Sequence, residues 1–215
     1  MVQAEAARHE PGWHRMWHGF GVAQPDPALL GELLAHWAQP HRKYHSTEHL
    51  QACLRHFARL QVMPQYPQEV ELALWFHDAI YEIGRSDNEQ RSADWACAAL
   101  RAAGVDGSAA ERVHALVMVT RHDCAPATGD QQVLLDIDLS ILGQPTQVFE
   151  RYEQQIADEF AAVPFAQRRV RRRAILQQFL ERPRIYHTAQ FHALWEAQAQ
   201  TNLRASVNRL ADPPP

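Results

Sequence analysis

At 215 residues the chain is long enough to bury a substantial core, and 46% hydrophobic with 21% charged residues is a globular profile, not a disordered one. A formal net charge of -4, with Lys43 the only lysine, argues against a generic nucleic-acid coat. Thirteen histidines is high for this length and favours metal binding or acid–base chemistry.

Residues 1–25 read as an N-terminal segment. Met1-Val2-Gln3-Ala4-Glu5 has neither a basic nor an apolar lead, so no signal peptide is expected, and no apolar run reaches membrane-spanning length. Asp26-Pro27 is an N-cap followed by proline at the first helical position. It opens Ala28 to Ala38, with Leu29, Leu30, Leu33, Leu34 and Trp37 inward. A second helix starts near Ser46 or Thr47 and runs to about Leu60, burying Leu50, Cys53, Leu54 and Phe57. Pro67 to about Ile80 is a third, apolar nearly all round at Leu72 to Phe76 and therefore central. Asn88 to Leu100 and Ser108 to Thr120 follow, the first stopped by Gly104. Arg121 to Asp130 is a polar loop containing His122-Asp123. Gln131 to Leu142 is a sixth helix, although Val133 to Leu139 also carries a strand-like alternation. Gln147 to about Val163, Phe165 to Leu180 and Thr188 to Leu210 complete the set, and Pro213-Pro214-Pro215 ends an expected disordered tail over 211–215. The pattern is that of an all-α chain with a single helical domain over 26–210, built from about nine helices.

Cys53, Cys97 and Cys124 are far apart, form no C-x-x-C motif and read as reduced thiols of a cytoplasmic protein. The more informative residues are His77-Asp78, set in the apolar run Leu74-Trp75-Phe76. An imidazole and a carboxylate on such a face are costly unless something pairs with both, and a divalent cation does so at once. Upstream lie His45 and His49, four apart, which share a face if the helix already includes His45. Downstream, Asp136 and Asp138 sit in another apolar run. Two histidines with two carboxylates suit Mn, Fe, Co, Ni or Zn, and leave coordination positions for water.

Around this set, Arg42 and Lys43 are either a phosphate clamp or a solvated basic pair. Asp87, Asn88 and Glu89 either hold a water or accept a proton, or simply favour a helix N-terminus. His122 is a candidate for a second metal or an ordinary loop residue. The run Arg168-Arg169-Val170-Arg171-Arg172-Arg173 reads first as an exposed helix face paired with nearby acidic residues, and otherwise as a binder of phosphates or an acidic partner.

In order, these residues resemble the HD superfamily of metal-dependent phosphohydrolases. The stretches Arg42-Lys43-Tyr44-His45-Ser46-Thr47-Glu48-His49, Trp75-Phe76-His77-Asp78-Ala79-Ile80-Tyr81, Ser86-Asp87-Asn88-Glu89-Gln90-Arg91-Ser92-Ala93 and Asp136-Ile137-Asp138-Leu139-Ser140-Ile141-Leu142-Gly143, with Arg182-Pro183-Arg184-Ile185-Tyr186, are similar to a bacterial group of predicted HD phosphohydrolases. The resemblance implies an HD-domain-like helical bundle holding one or two divalent transition-metal ions. By position it implies His49, His77, Asp78 and Asp138 as ligands, with Asp136 the competing choice for the last. It also implies His45 as a proton donor or as a supporting histidine. The expected activity is hydrolysis of a nucleotide or other small phosphate ester, with Arg42 or Lys43 on the phosphate and His45, Glu89 or Asp87 handling protons. Two other outcomes stay open on the same fold: a di-iron oxygenase, and a non-catalytic binding module that keeps a structural metal. No membrane or nucleic-acid partner is expected, and a homodimer is left open.

Overall fold

The computed structural model describes residues 2–211, so the expected tail lies, from residue 212 on, outside the described residues. Among them the chain is all-helical, with ten α-helices, two short 3-10 segments and no strand. Two compact units divide it, Met1–Leu134 and Leu135–Pro215.

The first unit holds α1 (Val2–Gly19), α2 (Pro27–Trp37), α3 (Thr47–Phe57), α4 (Pro67–Phe76), α5 (Asn88–Ala102) and α6 (Gly107–Met118). Helix α4 is its axis. Val70 and Leu72 to Phe76 are all buried, and α1, α3, α5 and α6 pack around them. Its one buried carboxylate, Glu69, accepts from Arg112 Nε at 2.8 Å and Nη2 at 2.6 Å, and the guanidinium lies over the Tyr66 ring. A bidentate charged pair of this kind leaves neither ion unsatisfied.

Helix α1 is the element that raises the expected nine helices to ten. Pro11 and Gly12 interrupt its pattern, and both are poor interior helix residues. Tertiary packing outweighs them: Trp13, Met16 and Trp17 are buried, and Trp13 meets Trp75 edge-to-face at 5.2 Å. The other starts follow local chemistry. Asp26 Oδ1 accepts from Ala28 N, and Asp106 Oδ2 accepts from Ser108 N.

The stretch with strand-like alternation, Val133 to Leu139, is helical: all of it but Leu139 lies in α7 (Gly129–Asp138). The two units divide within it. A 3-10 segment, Leu139–Gly143, then leads to α8 (Thr146–Glu159), α9 (Phe165–Glu181) and α10 (Ala189–Ala211). Three arginines of α9 bond the neighbouring helices α8 and α10. Arg168 donates to Ala157 O and Phe160 O at the end of α8, Arg169 donates to Leu210 O at the end of α10, and Arg172 pairs with Glu153 and the Tyr152 hydroxyl. Cations at helix C-termini complement the dipole and satisfy orphan carbonyls. Within the second unit α10 packs tightly on the 3-10 segment. Tyr186 Oη donates to Leu139 O, and Asn202 Nδ2 donates to Leu142 O and Gln144 O.

That close approach fixes Gly143. A Cβ there would overlap Trp195 Cβ and come within 2.9 Å of Tyr186 Oη. Gly143→Ala is expected to destabilise the protein by about 2–3 kcal/mol, read as a lower urea midpoint.

A second expectation concerns pH. Burial first, then Arg55 and Arg59, push His56 on α3 down from 6.5 to about 4. A lowered folded-state pKa means the unfolded chain binds the proton more tightly. The contribution is therefore complete above pH 6.5 and is lost as pH falls toward 4. Urea midpoints between pH 7 and 4 should fall for the parent chain and fall less for His56→Gln.

Candidate metal centre

The sequence pattern extends the third helix to Ile80, but α4 stops at Phe76 and residues 77–79 form a turn. This changes the geometry of the His-Asp pair. Adjacent residues on a helix diverge by about 100°, whereas past the helix end His77 Nε2 and Asp78 Oδ2 converge to 3.2 Å.

His49 reaches the same point from α3. Its Nε2 lies 3.1 Å from His77 Nε2 and 4.0 Å from Asp78 Oδ2. A circle through these three atoms has a radius of about 2.0 Å, the length of an ordinary metal–nitrogen or metal–oxygen bond. His77 Nδ1 donates to Leu74 O at 2.9 Å, so a neutral His77 turns its lone pair at Nε2 toward the other two atoms. Acceptor atoms so arranged suit a cation. The end of α4 adds to this, because the negative end of a helix dipole favours positive charge. The residues present therefore fit a divalent transition metal.

Cys53, one turn beyond His49, is a neighbour that the reading of motifs left in the core. His49, Cys53 and His77 are all buried, and one ligand atom from each lies within 4.8 Å of the others, so the group could bind a metal ion. Cys53 Sγ is nearly equidistant from the two His49 nitrogens, 3.9 Å from Nδ1 and 3.7 Å from Nε2. It therefore sits beside the imidazole ring and off the Nε2 lone-pair axis. The i, i+4 spacing from His49 was the available signal for it.

Aromatic rings wall this centre. Trp37 lies 5.4 Å from the His77 ring and 6.2 Å from that of His49, and Tyr44 lies 4.8 Å from His49. His45 is in the turn before α3, outside the helix, so it does not share a helical face with His49. Its ring stacks on Tyr81 at 4.3 Å, and its centroid is 6.2 Å from that of His49.

The remaining candidates separate clearly. Glu89, in the first turn of α5, is half-buried and feels the charges of Asp78, Arg121 and His122. Burial first, and then Asp78, hold its carboxyl above the ordinary range. Asp87 is exposed, and Arg85 grips both its oxygens at 2.7 and 2.6 Å. Its carboxyl is held low by that hydrogen bond. Asn88 closes its own loop, accepting from Glu82 N and donating to Glu82 O. His122 follows a 3-10 turn, Val119–Arg121, in a left-handed conformation with φ of 57°. Lys43 is exposed and donates to Pro40 O. Arg42, by contrast, is buried and donates to backbone carbonyls.

Asp136 and Asp138 belong to the second unit. Asp136 is fully buried and accepts from His187 N, Thr188 N and Thr188 Oγ1, so both its oxygens anchor the chain before α10. Burial nevertheless pushes its carboxyl up to about 6. Asp138 is the last residue of α7 and is half-buried.

Compared with protein-family models, curated proteins and solved structures, the chain matches none. No helix among the described residues is long and apolar enough to cross a membrane.

Dialysis against Zn2+ or Co2+ followed by elemental analysis should find bound metal. Loss of a ligating imidazole exceeds the effect of losing an outer hydrogen-bond partner, so His77→Ala should weaken affinity by about 100-fold or more. Equal uptake by parent and variant would remove His77 from the site.

Proposed function

We propose that this chain is a metal-dependent phosphohydrolase of HD-domain-like architecture, acting on a nucleotide or other small phosphate ester. The observation that carries the reading is the convergence of His49 Nε2, His77 Nε2 and Asp78 Oδ2. The ordered resemblance of the surrounding stretches to HD phosphohydrolases supports it.

In this reading His49, His77 and Asp78 hold the ion. A divalent cation bound there supplies Lewis acidity toward water and phosphate oxygens. Leu74 O fixes the His77 ring, so the imidazole keeps its orientation as charge develops beside it. Glu89 is the proton acceptor, a half-buried carboxylate within the field of Asp78. His45, packed against Tyr81, would return a proton to the leaving oxygen. Lys43, which is exposed, would bind a substrate phosphate in this reading.

A second reading has its own observation. His49, Cys53 and His77 are all buried, as in a closed structural site. There the ion stabilises the fold and no turnover occurs.

The test is turnover of phosphomonoesters, phosphodiesters and nucleotides by the protein loaded in turn with Mn, Fe, Co, Ni and Zn. Metal-dependent hydrolysis is expected, with Glu89→Gln lowering kcat by about 100-fold and Asp78→Asn abolishing activity. No hydrolysis with any metal, together with a fall in urea midpoint on chelation, would select the structural reading.

A further inference from the structure

Arg42 precedes the His45 turn in sequence, where a cation beside a metal reads naturally as a phosphate clamp. The structure gives its guanidinium a different set of partners. The residue is 5% exposed. Nη1 donates to Asp78 O at 2.6 Å and to His45 O at 3.1 Å, Nη2 donates to Ala79 O at 3.0 Å, and Nε donates to Gln39 Oε1 at 3.2 Å. The Trp37 and Tyr81 rings flank it, each 5.4 Å away.

Resting on the metal-centre reading above, we propose that Arg42 is a positioning residue of the centre and not a ligand for substrate phosphate. Two chain segments bring the ligands together. One is the turn that starts α3 and delivers His49; the other is the turn past α4 that delivers His77 and Asp78. Arg42 is bonded to both, at His45 O on one side and at Asp78 O and Ala79 O on the other. Ser46 O then accepts from Leu50 N as α3 begins, so the His45 turn sets where His49 starts its ascent. The planar fork of a guanidinium can hold several carbonyls in one plane, while a lysine ammonium offers a single point. The same guanidinium is packed on Trp37, whose indole adjoins the His77 ring. The distances from His49 Nε2 to His77 Nε2, 3.1 Å, and to Asp78 Oδ2, 4.0 Å, depend on these two turns keeping one relative position.

The experiment compares parent, Arg42→Lys and Gln39→Ala proteins for Co2+ affinity, for the visible spectrum of the Co2+-saturated protein, and for kcat and KM on a phosphate ester. Arg42→Lys keeps the charge and loses the fork. It should bind Co2+ at least tenfold more weakly, shift the d–d spectrum at saturation, and lower kcat with KM little changed. Gln39→Ala removes only the acceptor at Nε and should weaken Co2+ binding by about two- to fivefold. It also decides the matter if Arg42→Lys fails to fold by circular dichroism. Co2+ affinity and spectrum equal to the parent in the folded variants would overturn the proposal, and so would a raised KM with intact Co2+ binding, which is the signature of a phosphate clamp. A parent protein that takes up no Co2+ would overturn the metal-centre reading and this proposal with it.

Discussion

Helix α4 ends inside the protein, and its last carbonyls have to be hydrogen-bonded there, because buried backbone acceptors without partners are costly. Ala73 O takes His77 N, Leu74 O takes His77 Nδ1, Trp75 O takes Trp37 Nε1, and Phe76 O takes Ala79 N. Asp78 O and Ala79 O take Arg42, and Ala79 O also meets His36 Nδ1. Most of the features of the candidate centre are consequences of this arrangement. His77 has its tautomer and orientation set by the carbonyl it bonds. Trp37 is drawn against the His77 ring by the carbonyl its indole bonds. Arg42 ties the turn before α3 to the turn after α4.

Two buried carboxylates, Glu69 and Asp136, and the half-buried Asp78 show how differently a fold can treat the same group. Glu69 is matched by a bidentate arginine, so its charge is neutralised within the protein. Asp136 is matched by two amides and a hydroxyl, which supply hydrogen bonds but no opposite charge. Asp78 instead turns an oxygen toward two imidazole nitrogens at the negative end of a helix. The first two arrangements are complete as they stand. The third gathers donor atoms of the kind and spacing that transition metals take.

Arginine has a common use across both units. The positive charge of the chain is almost entirely arginine, and Arg42, Arg112, Arg168, Arg169 and Arg172 each bond backbone carbonyls, a carboxylate or a hydroxyl with a planar fork. A compact ammonium cannot make these multiple directed bonds. Three of the five arginines in the basic run of α9 are thus accounted for, Arg168 and Arg169 by the ends of α8 and α10 and Arg172 by Glu153 and Tyr152.

The sequence by itself determined that the chain is helical, roughly where its central helices lie, and that α4 is the buried one, because apolar period and capping chemistry are local. Through the resemblance of their surroundings to HD phosphohydrolases it also grouped His49, His77, Asp78 and Asp138, of which the first three converge within the first unit. It did not show α1, whose proline and glycine make it a poor helix until Trp13 and Trp17 find a surface to bury against. It did not show that α4 stops before His77, since nothing in Leu74-Trp75-Phe76-His77-Asp78 breaks a helix. Only the tertiary structure decided that, by offering the freed carbonyls side-chain donors from segments more than thirty residues away in sequence. The same long-range bonds bury Arg42, for which its sequence neighbours left a phosphate clamp and a solvated basic pair equally open. Donors and acceptors far apart in the chain are matched only when the chain is folded, and no local pattern encodes that match.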